Sequence, residues 1–206
     1  MKYLIVIDDF YSNPAAVRNF ALTKTEYLPS AALPGEFPGT ESKKSFFTPA
    51  VVQRLQSAVG EKVSPQPARF SFGVFAKAYA QDHRKKVVHV DHTGWTGLVY
   101  LNPPEQCRGG TSFYRHKGTG LDRVPEENGL ENLGYTSRSD FLDRFLRPIS
   151  SREEEWEVSA RVGMKFNRLV LFRAGDLFHA AEGYFGNTDE EARLIQLFFF
   201  ETEKCQ

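Results

Sequence analysis

Val87-Val88-His89-Val90-Asp91-His92-Thr93-Gly94-Trp95-Thr96-Gly97-Leu98-Val99-Tyr100-Leu101-Asn102 is the stretch on which the reading of this chain turns. A β-rich run ends in His-x-Asp, a short glycine-bearing turn follows, and a second apolar run begins. Side chains alternate between faces along a strand, so His89 and Asp91 project together while Val90 points into the opposite layer. An imidazole and a carboxylate side by side are two of the three ligands of a 2-His-1-carboxylate set. Such a set holds non-haem Fe(II) by one face and leaves the other coordination positions open. Surface His and Asp are common, so the pair alone does not define a site.

Two features further on extend the pattern. His179 follows the β-type run Leu169 to Phe172 and a turn carrying Gly175, where the chain heads back to the core. Alone it also reads as a hydrogen-bonded core histidine. Arg193 opens the apolar strand Arg193-Leu194-Ile195-Gln196-Leu197-Phe198-Phe199-Phe200. A guanidinium there requires an anionic partner, because an unpaired buried charge is costly, and its planar fork matches a carboxylate. Glu190 or Glu191 could supply that partner within the chain. Taken in order, His-x-Asp, distant His, then Arg, the joint reading is a metal triad with an anion-binding arginine.

The same order resembles the Fe(II)/2-oxoglutarate-dependent dioxygenases, and its local wording is similar to their prolyl-4-hydroxylase-like branch. The residues that carry the resemblance are His89-Val90-Asp91, Tyr100-Leu101-Asn102, Gly109-Gly110-Thr111-Ser112-Phe113, Ala174-Gly175-Asp176 with His179, and Arg193. It implies a double-stranded β-helix (jelly roll) with the metal in its mouth. His89, Asp91 and His179 would bind Fe(II), 2-oxoglutarate would take two further positions, and O2 the last. Arg193 and Tyr100 would hold the distal carboxylate of 2-oxoglutarate, with Tyr79 near the oxoacid. Read from the residues alone, both tyrosines are equally ordinary strand tyrosines. Related halogenases lack the carboxylate that Asp91 provides, so its presence points to hydroxylation. The opening Val6-Ile7-Asp8-Asp9-Phe10-Tyr11, with Asn13-Pro14 and Val17-Arg18, also resembles an uncharacterised bacterial domain family.

Composition bounds the rest. The 206 residues suffice for one sizeable core, read as a single domain with N-terminal helical support over 1–68 and the β core over 69–206. Basic and acidic residues balance at 26 each, which gives no steering toward nucleic acid or an anionic membrane. Cys107 and Cys205 make no disulfide framework and read as free thiols. With neither a secretory leader nor an apolar run of about 20 residues, the expected setting is cytoplasmic.

Along the chain, Tyr3 to Ile7 reads as a strand, and Ser12-Asn13-Pro14 starts a helix to about Leu22. Tyr27 to Phe47 reads as an ordered aromatic loop, and a second helix runs from Thr48-Pro49 to Val59, ending at Gly60. Strands are expected over Arg69 to Ala80, Leu98 to Asn102, Thr111 to Tyr114 and Met164 to Phe172. Between them Arg115 to Gly163 is a polar, glycine-bearing insert with helices expected at Ser139 to Leu146 and about Arg152 to Arg161. It is either a lid over the site or a helical layer on the outer sheet, with Phe141, Phe145 and Trp156 as its anchors. His83, His92 and His116 are left as surface or neighbouring residues. The expected fold class is thus mainly β with flanking helices. The expected substrate is an amino-acid-like, peptidyl or small-metabolite compound. A cupin-like enzyme, an Fe(II) oxidase that does not use 2-oxoglutarate and a non-catalytic jelly-roll binding module remain alternatives.

Overall fold

Two capping signals in the sequence set the first two helices. Asn13 accepts from the Ala16 amide at 3.1 Å, and Pro14 opens α1 (Pro14–Thr23). Thr48 accepts from the Val51 amide at 3.4 Å, Pro49 opens α2 (Pro49–Val59), and Gly60 closes it at φ 77°, where a side chain would be strained. Each side-chain cap contributes about 1 kcal/mol. These helices are in the computed structural model, which describes residues 3–29, 39–82 and 87–203. His83, Cys205 and residues 30–38 of the expected loop lie outside the described residues.

The strands, in chain order, are β1 (Leu4–Ile7), β2 (Tyr27–Pro29), β3 (Thr40–Ser42), β4 (Lys62–Val63), β5 (Phe72–Ala78), β6 (Trp95–Tyr100), β7 (Gly110–His116), β8 (Trp156–Gly163), β9 (Leu169–Phe172), β10 (His179–Glu182), β11 (Arg193–Phe200) and β12 (Thr202–Glu203). They form a seven-stranded antiparallel sheet ordered β1-β9-β6-β11-β5-β3-β2, a three-stranded sheet β10-β7-β8, and a small β12-β4 pair. The protein is mainly β, with antiparallel sheets and few helices.

Alternation along the strands sorts the core into three layers. Phe75, Val99, Leu101, Leu169, Leu171 and Leu194 lie on the face of the large sheet that is covered by α1 and α2. Val74, Ala76, Leu98, Tyr100, Val170, Phe172 and Ile195 lie on the other face, against Phe113 and Val162 of the small sheet. Tyr114, Phe178 and Ala180 form the back of the small sheet, under Leu130, Phe141, Leu146 and Trp156. At about 25 cal/mol per Å2, each fully buried large apolar side chain contributes roughly 1.5–3 kcal/mol toward holding these layers.

Several expectations are corrected here. The N-terminal part is no helical annex: β1 forms one edge of the large sheet and β2–β3 the other, so residue 68 is not a structural boundary. The expected loop after Tyr27 contains that β2–β3 hairpin. The helix expected at Arg152 to Arg161 is instead β8, preceded by one short turn at Glu153–Glu155. In sequence Trp156, Val158, Ala160 and Val162 alternate with Glu157, Ser159 and Arg161, a period of two that the glutamate run obscured, and a register shift opposite Phe113 and Tyr114 then places Trp156 and Val162 in different layers. Because β7 extends to His116 and β8 starts at Trp156, the insert is shorter than Arg115 to Gly163.

The insert holds α3 (Glu127–Asn132) and α4 (Arg138–Phe141), which continues through a π-helical turn at Leu142–Leu146 into α5 (Arg147–Ile149). Its aromatic side chains do not form a lid. Phe141 is fully buried and Trp156 nearly so, with ring centroids 6.5 Å and 5.3 Å from that of Phe178. Phe178 immediately precedes His179 and belongs to the layer behind it. The insert therefore buttresses the strand that carries His179.

Candidate metal centre

The segment carrying His89 and Asp91 is held by backbone bonds from three directions. Val88 N donates to Ser150 O at 2.8 Å, and Asp91 N donates to Ala174 O at 2.9 Å. His89 and His179 exchange both of their backbone hydrogen bonds, each at 3.0 Å. The continuous strand expected through His89 is thus a single antiparallel bridge to His179. Gly175 allows the turn beyond Ala174 to close on this segment, since a Cβ there would lie 2.8 Å from Thr93 O.

This clamping brings the three side chains together. One ligand atom from each of His89, Asp91 and His179 lies within 4.8 Å of the others. His89 Nε2 is 3.7 Å from Asp91 Oδ1, and His179 Nε2 is 3.6 Å from Asp91 Oδ2. Both imidazoles are oriented through their other nitrogen. His89 Nδ1 lies 3.0 Å from Val87 O, and His179 Nδ1 lies 2.9 Å from Leu177 O. A carbonyl oxygen only accepts, so each Nδ1 carries a proton and each Nε2 faces Asp91. The gaps exceed a hydrogen bond and suit donors that bind a cation at about 2.0–2.2 Å.

Burial pushes the Asp91 carboxyl up, but His179, His89 and a 2.5 Å hydrogen bond from Thr96 outweigh it and hold the pKa at about 2. The carboxylate is therefore ionised at neutral pH. Exposure is lopsided: the His89 side chain is 40% accessible and that of His179 only 6%, so the cluster opens on the His89 side.

Arg193 occupies a second polar spot inside the sandwich. It is 1% exposed and pairs in register with Ala78. Its guanidinium carbon sits 5.7 Å from the Tyr100 ring centroid. Tyr100 Oη and Thr111 Oγ1 are 2.9 Å apart. Burial raises the Tyr100 pKa, against the opposing pull of Arg193 and Thr111. Nε of Arg193 is buried without a partner, and among the described residues no carboxylate pairs with the guanidinium. The salt bridge to Glu190 or Glu191 that the sequence allowed is not formed. Glu191 instead accepts from the Asn187 amide at 3.2 Å.

Register relates the two spots. His179 faces Phe113 across β10–β7, and Thr111 lies two residues further along β7, roughly 7 Å away. Asn102 brackets Arg193 from both sides: its Nδ2 donates to Ala192 O at 2.8 Å and its Oδ1 accepts from Leu194 N at 2.7 Å. The start of β11 is thereby fixed just where β6 ends.

Of the site residues read from sequence, the structure gathers His89, Asp91 and His179 in one cluster and Arg193 with Tyr100 in another. Tyr79 joins neither. Its hydroxyl donates to Asp189 at 2.5 Å, and the same carboxylate meets buried Lys77 at 2.8 Å. Lys77 lies next to Ala78 along β5 and so points to the face away from Arg193. Tyr79 belongs to that outer clamp, and its expected place beside an oxoacid is corrected. His116 is not a surface residue either; it is buried against Phe145 and Trp156 and bonded to Thr119. Sequence reading missed Thr96, Thr111 and the bracket formed by Asn102. Thr96 and Tyr100 share a strand face, the one signal that could have drawn Thr96 in.

Fold and cluster together define a mainly β protein with a His-Asp-His group that could hold a metal ion. The sequence adds a closer relation: the chain belongs to a family of unknown function, DUF6445, whose model matches residues 1–184. That span contains all three residues of the cluster and ends before Arg193. Comparison with curated proteins finds no match. Among solved structures, HygX from Streptomyces hygroscopicus with nickel and 2-oxoglutarate bound is 14% identical, with a TM-score of 0.38 over 96% of this chain and 81% of that one. The same protein with iron bound is 13% identical at TM-score 0.38, again over 96% and 81% of the two chains. With nickel, 2-oxoglutarate and hygromycin B bound it is 16% identical at 0.38, over 96% and 82%. Likeness at this level carries no functional argument.

Proposed function

We propose that the protein is an Fe(II)- and 2-oxoglutarate-dependent dioxygenase of the jelly-roll type, similar to the prolyl-4-hydroxylase-like branch and acting as a hydroxylase in the cytoplasm. The observation that carries this reading is the pairing of an open His-Asp-His cluster with a buried arginine whose Nε lacks a partner. The donor set fits the metal: two neutral imidazole nitrogens and one ionised carboxylate suit Fe(II) and leave coordination positions for ligands. The orphaned Nε fits an anion, since a buried guanidinium is stable only when paired.

In this reading His89, Asp91 and His179 hold the ion, and Thr96 keeps Asp91 turned toward it. Bound Fe(II) would supply O2 activation coupled to oxidative decarboxylation of 2-oxoglutarate, giving succinate and CO2 with oxygen insertion into a substrate C–H. Arg193, assisted by Tyr100 and Thr111, takes the distal carboxylate, and Asn102 sets the arginine's position. The apolar layer around Phe113, Phe172 and Ile195 excludes water. The prime substrate, amino-acid-like, peptidyl or a small metabolite, enters from the exposed side of His89; no nucleic acid or membrane is required.

The test is anaerobic titration of the protein with Fe(II) and then 2-oxoglutarate, monitored for a weak visible charge-transfer band, followed by succinate release on admitting O2. Both signals are expected. A protein that binds Fe(II) yet shows neither would belong with iron oxidases that do not use an oxoacid.

A further inference from the structure

A cavity of about 680 Å3 lies away from the His-Asp-His cluster. It lies on the opposite face of the large sheet, under α1 and α2. Phe75 and Gln196 line it, and they alternate along β5 and β11 with Ala76 and Ile195, which face the sandwich interior. Its walls are aromatic: Phe10, Tyr11, Phe20, Phe46, Phe47 and Phe75. The polar groups at Gln196 are already matched. Gln196 Oε1 accepts from the Tyr11 hydroxyl at 2.6 Å, and its Nε2 donates to Phe46 O at 2.6 Å and to Gly73 O at 3.1 Å. The interior of the cavity thus favours an apolar occupant, and its size falls within the usual range of about 300–1,000 Å3 for small-molecule sites.

The charge around it has one sign. Arg54 is the only ionisable cation in the lining, and no acidic residue lines the cavity. Its guanidinium carbon stands 5.1 Å from the Phe10 ring centroid, which holds it at the rim. Among the described residues no carboxylate pairs with it. Ala16 near the start of α1 and Thr48 and Ala50 at the start of α2 also line the cavity, and neither helix has an acidic residue in its first turn. The positive ends of both helix dipoles therefore add to the field of Arg54. Phe20 and Phe47, each 38% exposed, are the large apolar residues left open to solvent here.

We propose that this cavity binds an amphipathic monocarboxylate, its apolar body among the six rings and its acid group at Arg54. A neutral amphiphile would gain the same burial without the charge-assisted contact, and a cationic one would meet a like charge.

The experiment is isothermal titration of the full chain with decanoate, decan-1-ol and decyltrimethylammonium, repeated for Ala50→Trp and Arg54→Glu. Saturable one-to-one binding of decanoate is expected, severalfold tighter than decanol, with the cationic amphiphile weakest. Ala50→Trp should abolish binding of all three, while Arg54→Glu should reverse the order of decanoate and the cation. Circular dichroism and the unfolding midpoint check that both variants fold. Absence of saturable binding in the wild type overturns the proposal. So does decanoate binding that Ala50→Trp leaves intact, or that 2-oxoglutarate displaces, because the acid would then occupy another site. Equal binding of the three probes in wild type and Arg54→Glu would also overturn it, leaving an apolar groove without charge selection.

Discussion

The His89–Asp91–His179 cluster and the Arg193 corner lie inside the same sandwich and handle charge differently. In the first, one carboxylate stands between two imidazoles, each ring is anchored to a carbonyl, and Thr96 satisfies an Asp91 oxygen. The cluster is internally supported. In the second, Tyr100 and Thr111 satisfy each other, while a nearly inaccessible guanidinium keeps an unpaired Nε. Polar groups in a core are normally matched, so the first group resembles a finished site and the second one half of a pair. The proposed function draws on this contrast, with a cation at the first spot and an anion at the second.

The contrast can be broken most decisively at the first cluster. His179→Ala should weaken Fe(II) binding by more than about 100-fold, beyond the 10–100-fold typical when only a neighbour that orients a ligand is removed. Equilibrium dialysis against Fe(II) measures it, with circular dichroism checking the fold; near wild-type affinity would remove His179 from the site. Arg193→Leu should leave iron bound but weaken 2-oxoglutarate binding by about 10–100-fold, the equivalent of roughly 1.5–3 kcal/mol for a charge-assisted pair. The same change should not destabilise the metal-free protein, because it removes a buried charge that no carboxylate pairs with among the described residues. Urea unfolding of the apo variant decides that point, and a large loss of stability would mean that the arginine is already paired.

A smaller effect concerns acid. Asp91 is held at about 2, below its ordinary 3.8, so its contribution to folding is complete above the unfolded pKa and is lost as pH falls through about 2. Metal-free wild type should therefore exceed Asp91→Asn in stability at neutral pH, and the two should converge as pH falls toward 2. Parallel curves would show that the carboxylate gains nothing from its neighbours. Smallest of all, Thr96→Val should lower Fe(II) affinity about tenfold, with Thr96→Ser restoring it; if valine costs nothing, the 2.5 Å bond to Asp91 does not orient the ligand.

The three metal-binding candidates and Arg193 were legible because chemistry and chain order single them out: an imidazole two residues from a carboxylate, a second imidazole after a glycine turn, and an arginine opening an apolar strand. What the alternation rule predicted incorrectly was the local structure around them. His89 and Asp91 converge through a bridge and turn contacts rather than through a regular strand. Tyr79 was misread because its position beyond β5 puts its hydroxyl with Asp189, a partner 110 residues away that no local pattern indicates. β8 was hidden because Glu153-Glu154-Glu155 suggested a solvated helix and drew attention from the alternation that follows. The role of the insert depended on which way Phe178, just before β10, is turned, and periodicity in the insert itself holds no such information.

The reciprocal backbone pair between His89 and His179 has a consequence for how the protein comes into being. The two histidines lie far apart in the chain, so the donor set exists only after a long loop has been closed and its entropy cost met. An unfolded or half-folded chain offers no comparable site. Ligand that binds only the native state adds to stability by mass action, about 2.7 kcal/mol at a free concentration one hundred times Kd. If the proposed iron site is correct, scarcity of the metal would raise the unfolded fraction open to proteolysis. It would then lower the abundance of the protein as well as its turnover.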